Sequence, residues 1–320
     1  MSSANYQELL ELILQEIEQD SFALPTLPSV AANIQTLIDD PNVSVDQIVA
    51  VLNSDPFISA QIIKSANSAA YMGKPKIDNV LDAAIRLGYR QLRNLVITIT
   101  MNNMLYSKNP VINRQMQETW EHSRKVAALS YVLALEHQHL SPDQAMLAGL
   151  MHDIGVLPLC MHIEKHHVPI EESTLASLII KCHVSIGTKL LNSWHFQQEI
   201  VEVVPEHENT QRASTRDFMP DYADVVMFAN LQAKHNSQFT DWNSIPAINR
   251  LRLSEDKCRS FIDENAERIE QVEVLLGMKK KERPKLHRVA TNTTLTYTSP
   301  TSPQKKYRGG LLSYLFSFWK

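Results

Sequence analysis

Apolar positions along this chain recur every three or four residues and rarely alternate, which predicts helices throughout. Leu9, Leu10, Ile13, Leu14 and Ile17 share one face over residues 5–20. Pro25 and Pro28 then break the chain into a short extended link. Ser29 reads as the N-cap of a helix to Ile38, ended by Asp39-Asp40-Pro41. Ser44 caps VDQIVAVLN, and Asp55 caps PFISAQIIKSAN with Pro56 at the favoured first position. Asn67 and Ser68, then Tyr71, Gly73 and Pro75, read as a helix exit and turn. Helices are expected over 77–86, 89–105 and 111–139, and another starts at Ser141-Pro142 and reaches His152 and Asp153 ahead of Gly155 and Pro158. Residues 160–171 read as loop or broken helix, so His162, His166 and His167 are expected at the surface. Helices return over 172–181, 183–194 and 196–206, a loop covers 207–219, and a helix carrying Asp224 ends near Lys234. A linker over 242–247 leads to a closing amphipathic helix over 254–277.

Composition narrows the picture. Only 8 of 320 residues are Gly, and neither G-x-G-x-x-G nor G-x-x-x-x-G-K-[ST] occurs, so no Gly-rich phosphate cradle is visible. An all-α fold with a large core is expected. Net charge is −4, unevenly placed: residues 279–320 hold ten Lys/Arg and one Glu, leaving 21 basic against 34 acidic residues before them. An acidic body argues against nucleic-acid binding. Cys160, Cys182 and Cys258 are odd in number and scattered, which implies reduced thiols in a cytoplasmic protein rather than a disulfide frame. The acidic, amphipathic N-terminus is unlike a signal peptide, and no apolar run approaches the roughly 20 residues of a membrane span. The tail is rich in Ser, Thr and Pro and reads as disordered. It ends in LLSYLFSFWK, an aromatic segment suited to docking on a partner or an anionic membrane surface through Lys305, Lys306 and Arg308.

The chemistry concentrates at His152-Asp153, set in the apolar stretch AGLMHDIGVLPL. Such a pair needs a satisfier when buried, and a divalent metal serves: imidazole is one ligand, and the carboxylate is another that can bridge two ions. A His-Asp pair bonded only to itself is the competing reading. Candidate partners lie on separate amphipathic segments. His122 is thirty residues upstream, His183 thirty residues beyond Asp153, and His207 and Asp224 follow. Each can point from its own helix into one bundle centre. The mixed nitrogen and oxygen set suits Mn, Fe, Ni, Zn or Mg. Cys182 diverges from His183 by about 100° on a helix and reads as a non-ligand thiol.

The ordered pattern H…HD…D from His122 to Asp224 resembles the HD superfamily of metal-dependent phosphohydrolases. The preceding segments LPTLPSVAANIQTLI, SDPFISAQIIKSANSAAY and IDNVLDAAIRLGYRQLRNLVI sharpen this to a resemblance to the HDOD branch, over roughly residues 20 to 240. The resemblance implies an all-α multi-helix bundle with an HD-type core and a helical N-terminal half. It divides the chain into an N-terminal helix (1–24), an HDOD domain (25–240, its halves 25–110 and 111–240), a helical extension (241–278) and the basic tail (279–320). It implies one ion held by His122, His152, Asp153 and Asp224, and a second reached through a bridging Asp153 and completed by His183 and His207. Asp153 is then the candidate catalytic residue. The related HD-GYP phosphodiesterases carry paired His and a GYP segment. Here that position is Glu206-His207, with Glu206 a possible further ligand, and no GYP follows. The expected function is a regulatory, signal-transduction module with a residual metal site, a signalling protein partner and a nucleotide as candidate ligand. The alternative is an active phosphohydrolase on a nucleotide or related phosphoester.

Overall fold

The computed structural model describes residues 3–68, 76–213, 219–234 and 240–278. The turn at 71–75 and the tail over 279–320 lie outside the described residues. Among those described, the regular elements are helices, with no strand. The first six are α1 (Ser3–Glu18), α2 (Ser29–Asp39), α3 (Val45–Asn53), α4 (Pro56–Ala66), α5 (Val80–Leu87) and α6 (Tyr89–Met104). Then come α7 (Pro110–Ala134), α8 (Pro142–Met151), α9 (Val156–Lys165), α10 (Glu172–Ser193), α11 (Gln198–Val201) and α12 (Val203–Glu206). The chain closes with α13 (Tyr222–Ala233), α14 (Pro246–Arg250), α15 (Glu255–Glu264) and α16 (Ala266–Leu275).

Local chemistry explains many starts. Ser44 and Gln47 form a capping box on α3, and Asp55 accepts from the amides of Phe57 and Ile58 on α4. Asn79 and Asn109 cap α5 and α7 in the same manner. Each satisfies amides that the first turn leaves orphaned. Ser29 is different: it is the first residue of α2, and Pro28 precedes it without a side-chain cap.

Two apolar cores meet along α6. Leu92, Leu95 and Val96 join Ile34, Ile48, Leu52 and Ile62 in the smaller core, while Ile97 and Met101 join the larger one around α7, α8, α10 and α13. Each such side chain contributes about 1.5–3 kcal/mol on full burial. Polar pins cross the seam. Gln35 Nε2 donates to Trp194 O at 3.0 Å, Trp194 Nε1 to Pro25 O at 2.9 Å, and Arg93 Nη2 to Gln144 Oε1 at 3.0 Å. Helix α1 belongs to the larger core, where its Leu9, Ile13 and Ile17 are buried.

Several expectations need correction. Residues 156–165 form α9, because Pro158 falls in its first turn, where its missing N–H costs no bond. His162 is consequently buried, stacked on Phe22 with centroids 4.7 Å apart; His166 and His167 are exposed. Helix α10 runs unbroken through Cys182 and His183. Helix α7 stops at Ala134, and tertiary bonds draw the following segment away: His139 Nε2 donates to Pro220 O, and Ser141 N to the Tyr222 hydroxyl. The closing helix is two, α15 and α16, meeting at Asn265. Two stretches, Pro142–Lys165 and Glu172–Ser193, are long and apolar enough to cross a membrane by length and composition. Of the apolar 18-residue window in each, 89% and 56% is buried within the protein, so its own core accounts for their apolar character.

Candidate metal centre

Four helices deliver one cluster. His122 projects from α7, His152 and Asp153 stand in the turn after α8, His183 lies midway along α10, and His207 follows α12. The turn reaches α10 only because Gly155 and Gly187 lack side chains. A Cβ on Gly155 would fall 1.9 Å from His183 O and 2.6 Å from Gly187 N. The cluster forms two triads sharing Asp153, one with His122 and His152, the other with His183 and His207; within each, the candidate ligand atoms lie within 4.8 Å of one another. Asp153 Oδ2 is 3.3 Å from His152 Nε2, and Oδ1 is 3.3 Å from His207 Nε2 and 3.7 Å from His183 Nε2. The imidazoles of His152, His183 and His207 are buried, while the Asp153 side chain stays 21% exposed and opens the cluster to solvent.

Backbone carbonyls set the tautomers. A carbonyl only accepts, so His152 Nδ1 donates to Gly149 O (2.8 Å), His183 Nδ1 to Ile179 O (2.7 Å) and His207 Nδ1 to Val204 O (2.6 Å). That leaves each Nε2 turned towards a carboxylate oxygen. Lone pairs at 3.3 Å repel unless a proton or a cation lies between them. The Nε2 atoms of His152 and His207 have no hydrogen-bond partner although buried. Imidazoles tied back through Nδ1–H, with Nε2 converging on a carboxylate, are how proteins hold a divalent metal, so the residues present fit the ion.

Charge in the cluster follows from the same contacts. Burial opposes a charged Asp153, yet His152 and His207 hold its carboxyl well below the usual range. Burial and the neighbouring His152 pull His122 down to about 3, so its ring is neutral. Burial also lowers His183. His207 moves the other way: burial would lower it, but Asp153 outweighs that and raises it. Glu208 lies at the edge; burial would raise it, but Lys234 and His207 hold it below its ordinary value. Burial pushes the Cys182 thiol up to about 11, and it stays outside both triads.

Asp224, expected among the ligands, is placed elsewhere. It is fully buried and its oxygens are taken by Arg212 Nη1 (2.6 Å) and by Arg250 Nε and Nη2 (2.8 and 2.6 Å). It also completes a capping box with Asp221 at the start of α13. The α13 residue that reaches the cluster is Asn230, whose Oδ1 lies 3.0 Å from His122 Nε2. Six residues separate the two, a rotation of about 600°, so they face different sides of the helix. Glu206 also stands apart: Arg212 Nε lies 3.5 Å from its carboxylate, and Asn209 donates to it. Asp224→Asn should cost about 3 kcal/mol, because it leaves Arg250 buried without its carboxylate, while bound metal stays unchanged. Urea unfolding with parallel metal analysis checks this; equal loss of metal would return Asp224 to the ligand set.

The family profile of the HDOD domain matches residues 24–210. The structure of a proposed metal-dependent phosphohydrolase from Shewanella amazonensis SB2B is 25% identical, with a TM-score of 0.66, covering 85% of this chain and 99% of that one. An HDOD domain protein of unknown function from Geobacter sulfurreducens is 20% identical with a TM-score of 0.61, covering 84% and 98%. A proposed signal transduction protein from Marinobacter aquaeolei VT8, also 20% identical with a TM-score of 0.61, is matched over 86% of this chain and 66% of that one. At 20% identity the likeness is one of fold. An uncharacterized protein of Treponema pallidum is 24% identical over 240 residues, and this chain spans 44% of its length.

Proposed function

The chain belongs to the HDOD family, and from that premise we propose that it is a signal-transduction module built around a divalent-metal centre at Asp153. The observation that carries the metal is the set of Nδ1-tethered imidazoles whose Nε2 atoms face Asp153 at 3.3 to 3.7 Å. The Shewanella phosphohydrolase, at 25% identity over nearly its whole length, supports the same reading. An imidazole-rich donor set suits Fe, Ni or Zn better than Mg. When bound, the ion would polarise a phosphoryl oxygen.

Two features favour binding and signalling over turnover. Asp153 is the only carboxylate in either triad. The α13 position beside His122 is an amide, Asn230, with no charge to balance a second ion. A nucleotide or related phosphoester entering beside the exposed edge of Asp153 would supply the missing negative charge as a ligand. The output would then pass to a signalling partner. The basic 279–320 segment is proposed as a docking element for that partner or an anionic membrane surface, and three free, buried cysteines support a cytoplasmic setting. A hydrolase remains the second reading, because a carboxylate shared by two triads is the arrangement a two-metal phosphohydrolase uses.

The test is turnover. Protein purified without chelator and supplied with Mn2+ should release no product above background from cyclic di-GMP or bis(p-nitrophenyl) phosphate. Metal-dependent release that Asp153→Ala abolishes would replace this proposal with the hydrolase.

A further inference from the structure

A groove of about 710 Å3 opens between three segments that carry no residue of the metal cluster. Its walls are the extended link after α1, one face of α2 and the end of α10. Leu24, Leu27, Ala32 and Trp194 supply apolar surface, and Asp39 and Asp40 supply charge, with no Lys or Arg among the lining residues. The three walls are pinned to one another. Gln35 Nε2 donates from α2 to Trp194 O (3.0 Å) and His195 O (3.3 Å), and Trp194 Nε1 donates to Pro25 O in the link (2.9 Å). Leu27 packs against both cores. The groove is thus a fixed feature of the seam, formed before anything enters it, which lowers the cost of binding there.

The chain itself supplies an occupant. Its last ten residues, LLSYLFSFWK, place Leu312, Tyr314, Phe316 and Phe318 at every second position. In an extended register these four apolar side chains share one face. An aromatic side chain buries about 150–250 Å2 when it finds a partner surface. Lys305, Lys306 and Arg308 precede that face, and 279–320 as a whole holds ten Lys/Arg against one Glu. This charge complements Asp39 and Asp40 in the groove and the acidic body around it. The tether is long enough. The described chain ends at Met278, just past Leu275, which is buried in the smaller core with Ala31 and Ile34 of α2. From there 32 residues, Lys279 to Gly310, lead to the apolar end. Taken even as a coil, a linker of that length spans about 30 Å, against a radius of gyration of about 19 Å for a domain of this size. Tethering on that scale gives an effective concentration on the order of millimolar.

We propose that this groove seats the chain's own segment 311–320, with Lys305, Lys306 and Arg308 facing Asp39 and Asp40. The docking element of the tail is then held by the body of the same chain, and a partner or a membrane has to draw it out. The metal centre plays no part in this contact.

The experiment maps the contact in the full chain. The photo-crosslinker p-benzoylphenylalanine replaces Phe318, the dilute protein is irradiated, and adducts are located by peptide mass spectrometry. Adducts within one chain, to residues 24–40 or 193–195, are expected. Thr36→Lys combined with Asp40→Lys, both at exposed positions, should lower their yield several-fold. A large excess of free peptide of residues 305–320 should do the same to the chain that keeps Thr36 and Asp40. Adducts to other surfaces would overturn the proposal, as would a groove yield that the folded double variant or the peptide leaves unchanged. Adducts joining two chains would assign the groove to a second copy instead. No groove adduct in buffer, with lipid adducts once phosphatidylglycerol vesicles are added, would make the segment a membrane anchor only. Should the double variant fail to fold by circular dichroism, the peptide competition still decides the point.

Discussion

Gly155→Ala should cost the protein a large part of its stability and disturb the centre with it. The added methyl would sit 1.9 Å from His183 O, 2.6 Å from Gly187 N and 2.8 Å from His183 C. All three are backbone atoms of α10, so no side chain can swing aside. Relief requires α10 to move away from the turn that carries His152 and Asp153. Overpacking usually costs about 1–3 kcal/mol and occasionally more. A backbone-against-backbone clash belongs at or above the top of that range, against a total of about 5–15 kcal/mol for a native domain. A loss of about 3 kcal/mol corresponds to a fall in Tm of roughly 6–12 °C in a domain of this size. Gly187→Ala is the milder companion: its nearest contacts would be Gly155 N at 3.1 Å and a Val204 methyl at 3.2 Å. Thermal unfolding of both variants checks the ranking. A Gly155→Ala protein melting with the wild type would show that the turn does not depend on that close approach.

Asp153→Ala should have the largest effect on metal. The carboxylate faces His152 through one oxygen and His183 and His207 through the other, so its loss removes the only anionic ligand of either triad. Hydrogen bonds or contacts to a charged group are worth about 1.5–3 kcal/mol each. Losing about 3 kcal/mol weakens binding roughly 100-fold. The fold should tolerate the change. His152, His183 and His207 keep their bonds to backbone carbonyls. His207 should then lose the influence that raises it and follow its burial downward. Competition with a chromogenic chelator measures the affinity. Equal affinity in variant and wild type would place the ion elsewhere.

Much of this was readable from the chain. Ser44, Asp55 and Asn109 cap helices from within their own segments, so local sequence carries the signal. His152 and Asp153 stand out as polar groups in an apolar stretch, His122 and His183 lie on amphipathic helical segments, and His207 falls in place behind α12. Asp224 misled because its partners are distant in sequence. Arg250, 26 residues on, belongs to another helix, and an acid in a buried helix looks the same whether a metal or a guanidinium awaits it. Asn230 was illegible for the opposite reason: a neutral amide in an apolar helix advertises nothing until His122 is seen 3.0 Å away. His162 was misplaced because a proline near the start of α9 resembles a proline that breaks a helix.

The most direct test of the central claim is anomalous diffraction from crystals of protein purified without chelator, recorded above and below the absorption edge of the metal identified in it. The account predicts a peak beside the Asp153 carboxylate, about 2.0–2.1 Å from the Nε2 atoms of the imidazoles that hold it if the ion is zinc. An ordered Asp153 flanked by those imidazoles with no anomalous peak, while metal is present in the crystal, would contradict it.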